Sequence, residues 1–206
     1  MVAHHLGIEE DALDWDPKRS QLSPLFLDHL LATNDVRIAV TLAAARHGFK
    51  IVTWLDEQTL KSDQMKDYVT LTGPQGGEQK AAVVPDGYFA LHAGDYIYDY
   101  FLEIDRRTVT REATAWGKRD WARKVSAYLA YYHTGQYQKR YQTKSLRILT
   151  VTTGDTRLAN LKATTEAVGG KSRFWFTTFA LATPERILTE PIWQVAGRNG
   201  LRTLTS

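Results

Sequence analysis

Two periods of apolar residues take turns along this chain. In DVRIAVTLAAARHG, Val36, Val40, Ala43 and Ala44 fall on one helical face, with Thr33 or Asn34 as cap and Gly48 as stop, which predicts a helix. The stretch before it, Leu25 to Leu31, is apolar around His29. FKIVTWL (49–55) then alternates as a strand that ends in Asp56 and Glu57. Residues 58–80 are polar, and GPQGGEQK reads as a loop. A second strand is expected near 81–91, where Pro85 restricts it to an edge, a start or a bulge. The third, YIYDYFLEI (96–104), follows a hairpin turn within His92-Ala93-Gly94-Asp95.

The second half continues the alternation. A helix from about 112 or 118 to His133, closed by Gly135, precedes the strand SLRILTVTT (145–153). The segment DTRLANLKATTEAV is helical with Asp155 as cap, and SRFWFTTFAL (172–181) is a fifth strand. Residues 1–24 read as an N-terminal arm and 25–206 as one α/β domain. The order αβββαβαβ predicts a mixed central sheet flanked by helices, with its first three strands antiparallel.

Composition narrows the chemistry. No apolar run approaches the roughly 20 residues of a membrane span, and Met1-Val2-Ala3-His4-His5 opens no signal peptide, so a cytoplasmic protein is expected. The absence of cysteine excludes disulfides and thiolate metal sites. Any metal must be held by carboxylates, histidines and backbone oxygens. The net charge of +3 hides a segregation: residues 106–147 hold eleven Lys and Arg against two acids, +9, leaving −6 for the remainder. Such a segment attracts a polyanion, and Arg106, Arg107, Lys118, Arg119, Arg123, Lys139 and Arg140 are the candidate DNA contacts. The interleaved aromatics, Trp116 to Tyr141, suit either base stacking or core packing.

The acids converge on β-structure. Period-2 geometry puts Asp99, Phe101, Glu103 and Asp105 on one face of the third strand. Asp86 lies seventeen residues before Glu103 across the hairpin, so the two are expected as cross-strand neighbours. Two or three carboxylates at one point suit Mg²⁺ or Mn²⁺, with positions left open for phosphate and water. Asp86, Glu103 and Asp105 are therefore the candidate metal ligands. Lys124, one helical turn before Tyr128, is placed to offset charge on phosphate, with Lys118 as its competitor. His29 and Glu57 are secondary candidates. A relaxase with a histidine cluster and nucleophilic tyrosine finds no His-x-His triad, and GPQGGEQK lacks the G-K-[ST] end of a P-loop.

Pro85-Asp86 and Glu103-Ile104-Asp105 resemble the two acidic elements of the PD-(D/E)xK nuclease superfamily, whose core order is αβββαβ. Asp105 stands where that superfamily usually has lysine. Lys124-xxx-Tyr128 is similar to a helix-borne lysine merged with the Q-xxx-Y element of its exonuclease branches. More closely, HLLATNDVRIAVTLAAARHG (29–48), WLDE (54–57), PDGYF, FLEIDR, KVSAYLAYYHTGQY (124–137) and RILTVTTGDTRLANL (147–161) resemble the bacterial, plasmid and phage replication-relaxation family. Its members often carry a winged-helix segment upstream, which residues 1–24 are too short to hold. These resemblances imply a restriction-endonuclease-like core and Mg²⁺- or Mn²⁺-dependent cleavage of plasmid or phage DNA, branched or nicked forms included. In that reading Asp86, Glu103 and Asp105 hold the metal, Lys124 stabilises charge and Tyr128 positions it. Junction cutting would imply a homodimer. The lysine missing at 105 equally suits a non-catalytic DNA-binding accessory factor of replication with the same fold, and a protein-binding role for the basic helix stands as a third reading.

Overall fold

The computed structural model describes residues 24–73, 76–106 and 121–205. Helix α1 (Pro24–Arg46) buries Ala32, Val36, Ala39, Val40, Ala43 and Ala44. It starts nine residues before Thr33, because the apolar run from Leu25 continues the helix. The Thr33 hydroxyl bonds back to the His29 carbonyl at 2.9 Å rather than capping. Gly48, at φ +68°, ends the helix: Phe49 N donates to the Ala44 carbonyl at 2.8 Å and Gly48 N to the Ala45 carbonyl. Strand β1 (Lys50–Asp56) follows, then a short helix α2 (Glu57–Lys61) capped by Asp56, whose carboxylate accepts from Thr59 N.

Residues 58–80, read only as polar, contain the rest of α2, strand β2 (Asp67–Thr72) and the start of β3 (Glu78–Val83), which takes the last three residues of the expected loop GPQGGEQK. The two strands pair as a separate hairpin that buries only Val69, Leu71, Ala81 and Val83, so its other face is polar and hides the alternation. The strand expected near 81–91 is two strands. Pro85 and Asp86 separate β3 from β4 (Gly87–Ala93), since proline cannot donate to a ladder. Strand β5 (Tyr96–Asp105) returns through a two-residue turn, Gly94-Asp95, with Gly94 at φ +61°.

Helix α3 (Trp121–His133) and, beyond Gly135, a further short helix α4 (Gln136–Tyr141) lead to β6 (Leu146–Thr152). Helix α5 (Asp155–Ala167) crosses over to β7 (Phe174–Thr178). The tail adds β8 (Trp193–Val195) and β9 (Leu201–Arg202), neither foreseen from its sequence. The main sheet runs β1-β4-β5-β6-β7-β8-β9. β1, β4 and β5 are antiparallel as expected, while β5, β6 and β7 are parallel. The expected helix–strand series corresponds to α1, β1, β4, β5, α3, β6, α5 and β7; the hairpin, α2, α4, β8 and β9 are additions to it.

Two cores flank the sheet. One packs α1 and the C-terminal segment against Phe89, Leu91, Tyr100, Leu102 and Ile104; the other packs α3, α5 and the hairpin against Tyr88, Phe101, Ile148, Phe174 and Phe176. Alternation along β5 thus puts Phe101 and Glu103 on the α3 side, as its period requires. Arg147, in the basic segment, stacks over Trp175 with its Nη1 on the Leu204 carbonyl, closing the tail onto the first core. The expected arm, residues 1–24, lies outside the described residues but for Pro24, the first residue of α1.

Candidate functional site

Asp86 is fastened to the middle of the sheet at both ends. Its N–H donates to the Leu102 carbonyl at 3.0 Å, and its Oδ2 accepts from Ile104 N at 2.7 Å. Gly87 next to it pairs with Leu102, and a Cβ there would stand 3.6 Å from the Leu102 Cβ. The loop after Pro85 therefore delivers the carboxylate beside Glu103. Glu103, 2% exposed, accepts from the Lys124 ammonium on Oε2 and from the Tyr128 hydroxyl on Oε1. Lys124 and Tyr128 reach it together because they are one turn apart on α3.

His29 and Glu57 complete the group. The His29 Nε2 lies 3.2 Å from Asp86 Oδ1, reaching down from α1. Glu57 follows Asp56, which is registered opposite Gly87, so the end of β1 carries Glu57 to the same corner. One ligand atom each from His29, Glu57 and Asp86 lie within 4.8 Å of one another. From the solvent side Lys61 Nζ approaches Glu57 Oε1 at 2.5 Å.

The electrostatics follow from this crowding. Burial pushes the Glu103 carboxyl up to about 7, against the pull of Lys124 and with a further rise from Asp86. Burial also opposes the Asp86 carboxylate, but Lys124, His29 and the Ile104 N–H outweigh it and hold its pKa below the ordinary value. Desolvation works against the Lys124 ammonium, and Glu103 and Asp86 overcome it, so its pKa is raised and the charge retained. The Asp86 hydrogen bond, against desolvation, raises the His29 pKa. Each of the three acids thus has a basic partner: Lys124 for Glu103, His29 for Asp86 and, from the solvent side, Lys61 for Glu57.

The structure therefore brings together Asp86, Glu103, Lys124, Tyr128, His29 and Glu57 among the residues singled out from the sequence. Asp105 is placed differently. Its carboxylate is gripped by the Arg157 guanidinium at 2.8 and 2.9 Å and by the Thr152 hydroxyl at 2.7 Å, which ties the start of α5 to the end of β5. Arg157 was not anticipated. The available signal was the parallel crossover itself, which sets the first turn of α5 above the carboxyl ends of β5 and β6.

The basic candidates also divide. Arg106 bonds to the Asp28 carbonyl and carboxylate on α1, and Arg123 lies against Gln79 and the Lys80 carbonyl of the hairpin. Arg140 is engaged by Asp67 and the Gln64 carbonyl, and Lys139 is exposed. Arg107, Lys118 and Arg119 lie outside the described residues. Of the two uses open to the aromatics, those described serve packing: Tyr128, Tyr131 and Tyr137 are buried in the second core, and Trp121 donates its indole N–H to Thr165.

Fold and site define an α/β protein with a buried carboxylate–lysine–tyrosine centre beside a histidine and two further acids, at one end of its middle strands. The chain belongs to the replication-relaxation family, which matches residues 3–146 and so includes every residue of that centre. Membership points to a role in plasmid replication or relaxation, with DNA as the partner. Neither the curated proteins nor the solved structures offered a match. None of the described helices is long and apolar enough to cross a membrane.

Proposed function

We propose that the chain is a Mn²⁺- or Mg²⁺-dependent deoxyribonuclease with a PD-(D/E)xK-like core that nicks or cuts plasmid or phage DNA during replication. The observation that carries this reading is the approach of His29, Glu57 and Asp86 donor atoms to within 4.8 Å, directly beside Glu103 and Lys124. An imidazole and two carboxylates fit a hard to borderline cation, with manganese the best match. Asp86, Glu57 and His29 would hold it, with Glu103 beside this group and bonded to Lys124 and Tyr128. A bound divalent ion supplies Lewis-acid polarisation of the phosphodiester and a more acidic water.

The protein's own groups supply the rest. Lys124, its side chain 38% exposed, presents an ammonium from the site to the solvent side, where a phosphate oxygen would gain charge. Glu103, pushed up to about 7 by burial, is suited to take a proton from the attacking water near neutral pH. Tyr128 fixes which Glu103 oxygen remains with Lys124. Asp105, through Arg157, holds α5 in place rather than carrying the lysine role of that motif position.

The second reading, a non-catalytic DNA-binding accessory factor, is favoured by one observation: both Glu103 oxygens are already satisfied, by Lys124 and Tyr128. Purified full-length chain incubated with supercoiled, nicked and four-way DNA in Mn²⁺, Mg²⁺ or EDTA separates the two. Nicking with metal that falls on the order of a hundredfold in Asp86→Asn supports the nuclease. Retarded but uncut DNA in every metal assigns the accessory role.

A further inference from the structure

Helix α1 is apolar on two opposite faces. Its inner face packs on the sheet, and Leu27, Leu31, Ile38 and Leu42 on the outer face are 45 to 54% exposed. At 3.6 residues per turn these four fall within an arc of about 60° centred opposite the buried alanines and valines. A helix apolar all round belongs in an interior, and a contiguous exposed stripe of this kind marks an interface.

The spacing of the stripe indicates what covers it. Leu27 and Leu42, and Leu31 and Ile38, are placed symmetrically about the Asn34–Asp35 bond. Two copies of α1 laid antiparallel put Leu27 of one against Leu42 of the other, and Leu31 against Ile38, along the whole seam. A twofold interface must be self-complementary in this way. Asn34 falls at the twofold, where a polar pair fixes register. Charge selects the orientation. Asp28 and Arg46 stand on the same flank at the two ends of the helix, both exposed to more than half. Antiparallel pairing keeps that flank on one side of the seam and brings each Asp28 to the same corner as the other copy's Arg46, whereas a parallel twofold would put the two flanks on opposite sides and leave that pairing unmade. The two Asp35 carboxylates meet on that flank in the antiparallel pair.

We infer that the chain forms a homodimer through antiparallel packing of its two α1 helices. His29 lies on α1 eleven residues from its own symmetry mate, so the two candidate centres are offset by about 16 Å along the seam. The inference stands independently of whether those centres cut DNA.

The cysteine-free sequence makes the test direct. Light scattering on the full-length chain should give a dimer, and Ile38→Glu a monomer of unchanged helix content. Under mild oxidation Asn34→Cys should cross-link to itself, because residues at the twofold of an antiparallel pair approach within disulfide reach. Leu27→Cys alone should not, its two copies lying about 22 Å apart along the seam, but mixed with Leu42→Cys it should. Asp35→Asn should tighten association by removing the like-charge contact. A monomer at every concentration overturns the inference, as does Leu27→Cys linking to itself as readily as Asn34→Cys.

Discussion

Tyr128 and Tyr131, three residues apart on α3, head two networks made of the same parts. Tyr128 and Lys124 hold Glu103 on β5; Tyr131 and Arg140 hold Asp67 on the β2–β3 hairpin. In each, a hydroxyl and a cation satisfy the two oxygens of one carboxylate. The surroundings differ. Around Asp67 the charges balance: partial burial opposes its ionised form, yet Arg140 and Tyr131 prevail and keep its pKa below the usual range. Around Glu103 burial dominates and Asp86 adds to it, while Lys124 and Tyr128 only partly offset the two, so its pKa rises to about 7. The balanced network docks a hairpin. The buried, perturbed one is the proposed site, which separates a candidate centre from a strut.

The largest expected effect tests that division of labour. Glu103→Gln should lower metal-dependent nicking by a hundredfold or more, the usual range for loss of a general base. Asp67→Asn should leave nicking as it is and lower stability by about 1–2 kcal/mol, since Arg140 and Tyr131 lose a charged acceptor at a partly buried position. Plasmid nicking and urea unfolding on the same preparations measure both. Equal losses of nicking in the two variants would show that the networks are one unit.

A smaller effect, with opposite signs, is expected from pH in metal-free buffer. Glu103 has a folded-state pKa above its ordinary 4.5, so the folded state binds the extra proton between these values. Its contribution to stability is full below about 4.5 and is lost as pH rises through about 7. Asp67 has a depressed folded-state pKa, so its contribution is present above the unfolded value of 3.8 and is lost as pH falls. The stability advantage of the native chain over Glu103→Gln should therefore shrink from pH 4 to pH 8. The advantage over Asp67→Asn should shrink in acid instead. Urea midpoints across that range decide it, and a common sign for both differences would refute the distinction.

The two networks were unequally legible in the sequence. Glu103, Asp86, Lys124 and Tyr128 announce themselves because a strand period, a proline break and a helical turn each place a polar group at an apolar seam. His29 and Glu57 were visible only as polar residues at the edge of such patterns, and it took the registry of β1 against β4 to carry Glu57 to Asp86. The Asp67 network was not legible. A two-stranded hairpin with one solvated face gives half an alternation, and the residue that anchors it, Arg140, looks like one more cation in a basic run. The intramolecular contacts of Arg106 and Arg123 were hidden in the same way, since charge along a sequence does not say which cations meet carboxylates or carbonyls once the chain folds. Asp105 was legible as a carboxylate on the right face but not as Arg157's partner, because that contact joins elements 52 residues apart.

The smallest effect is also the most discriminating, because it changes one oxygen in each network. Tyr128→Phe and Tyr131→Phe keep the rings, which pack on Phe101 at centroid distances of 5.8 and 6.3 Å. Each removes one hydrogen bond to a carboxylate and should cost about 1 kcal/mol or a little more in stability. Stability alone would not tell them apart. The Tyr128 hydroxyl, however, is one of the groups that pull the Glu103 pKa down against burial, so its loss should move that pKa further up. Lys124 would remain as the sole donor, and the pH midpoint of nicking should rise with it. Tyr131 has no such connection: its hydroxyl acts on Asp67, whose titration lies far below the range in which nicking would be measured. An alkaline shift in the nicking profile of Tyr128→Phe, with the Tyr131→Phe profile unmoved, is the expected result. Matching shifts would mean that both hydroxyls act through the packing of α3, and the proton-accepting role given to Glu103 would fall.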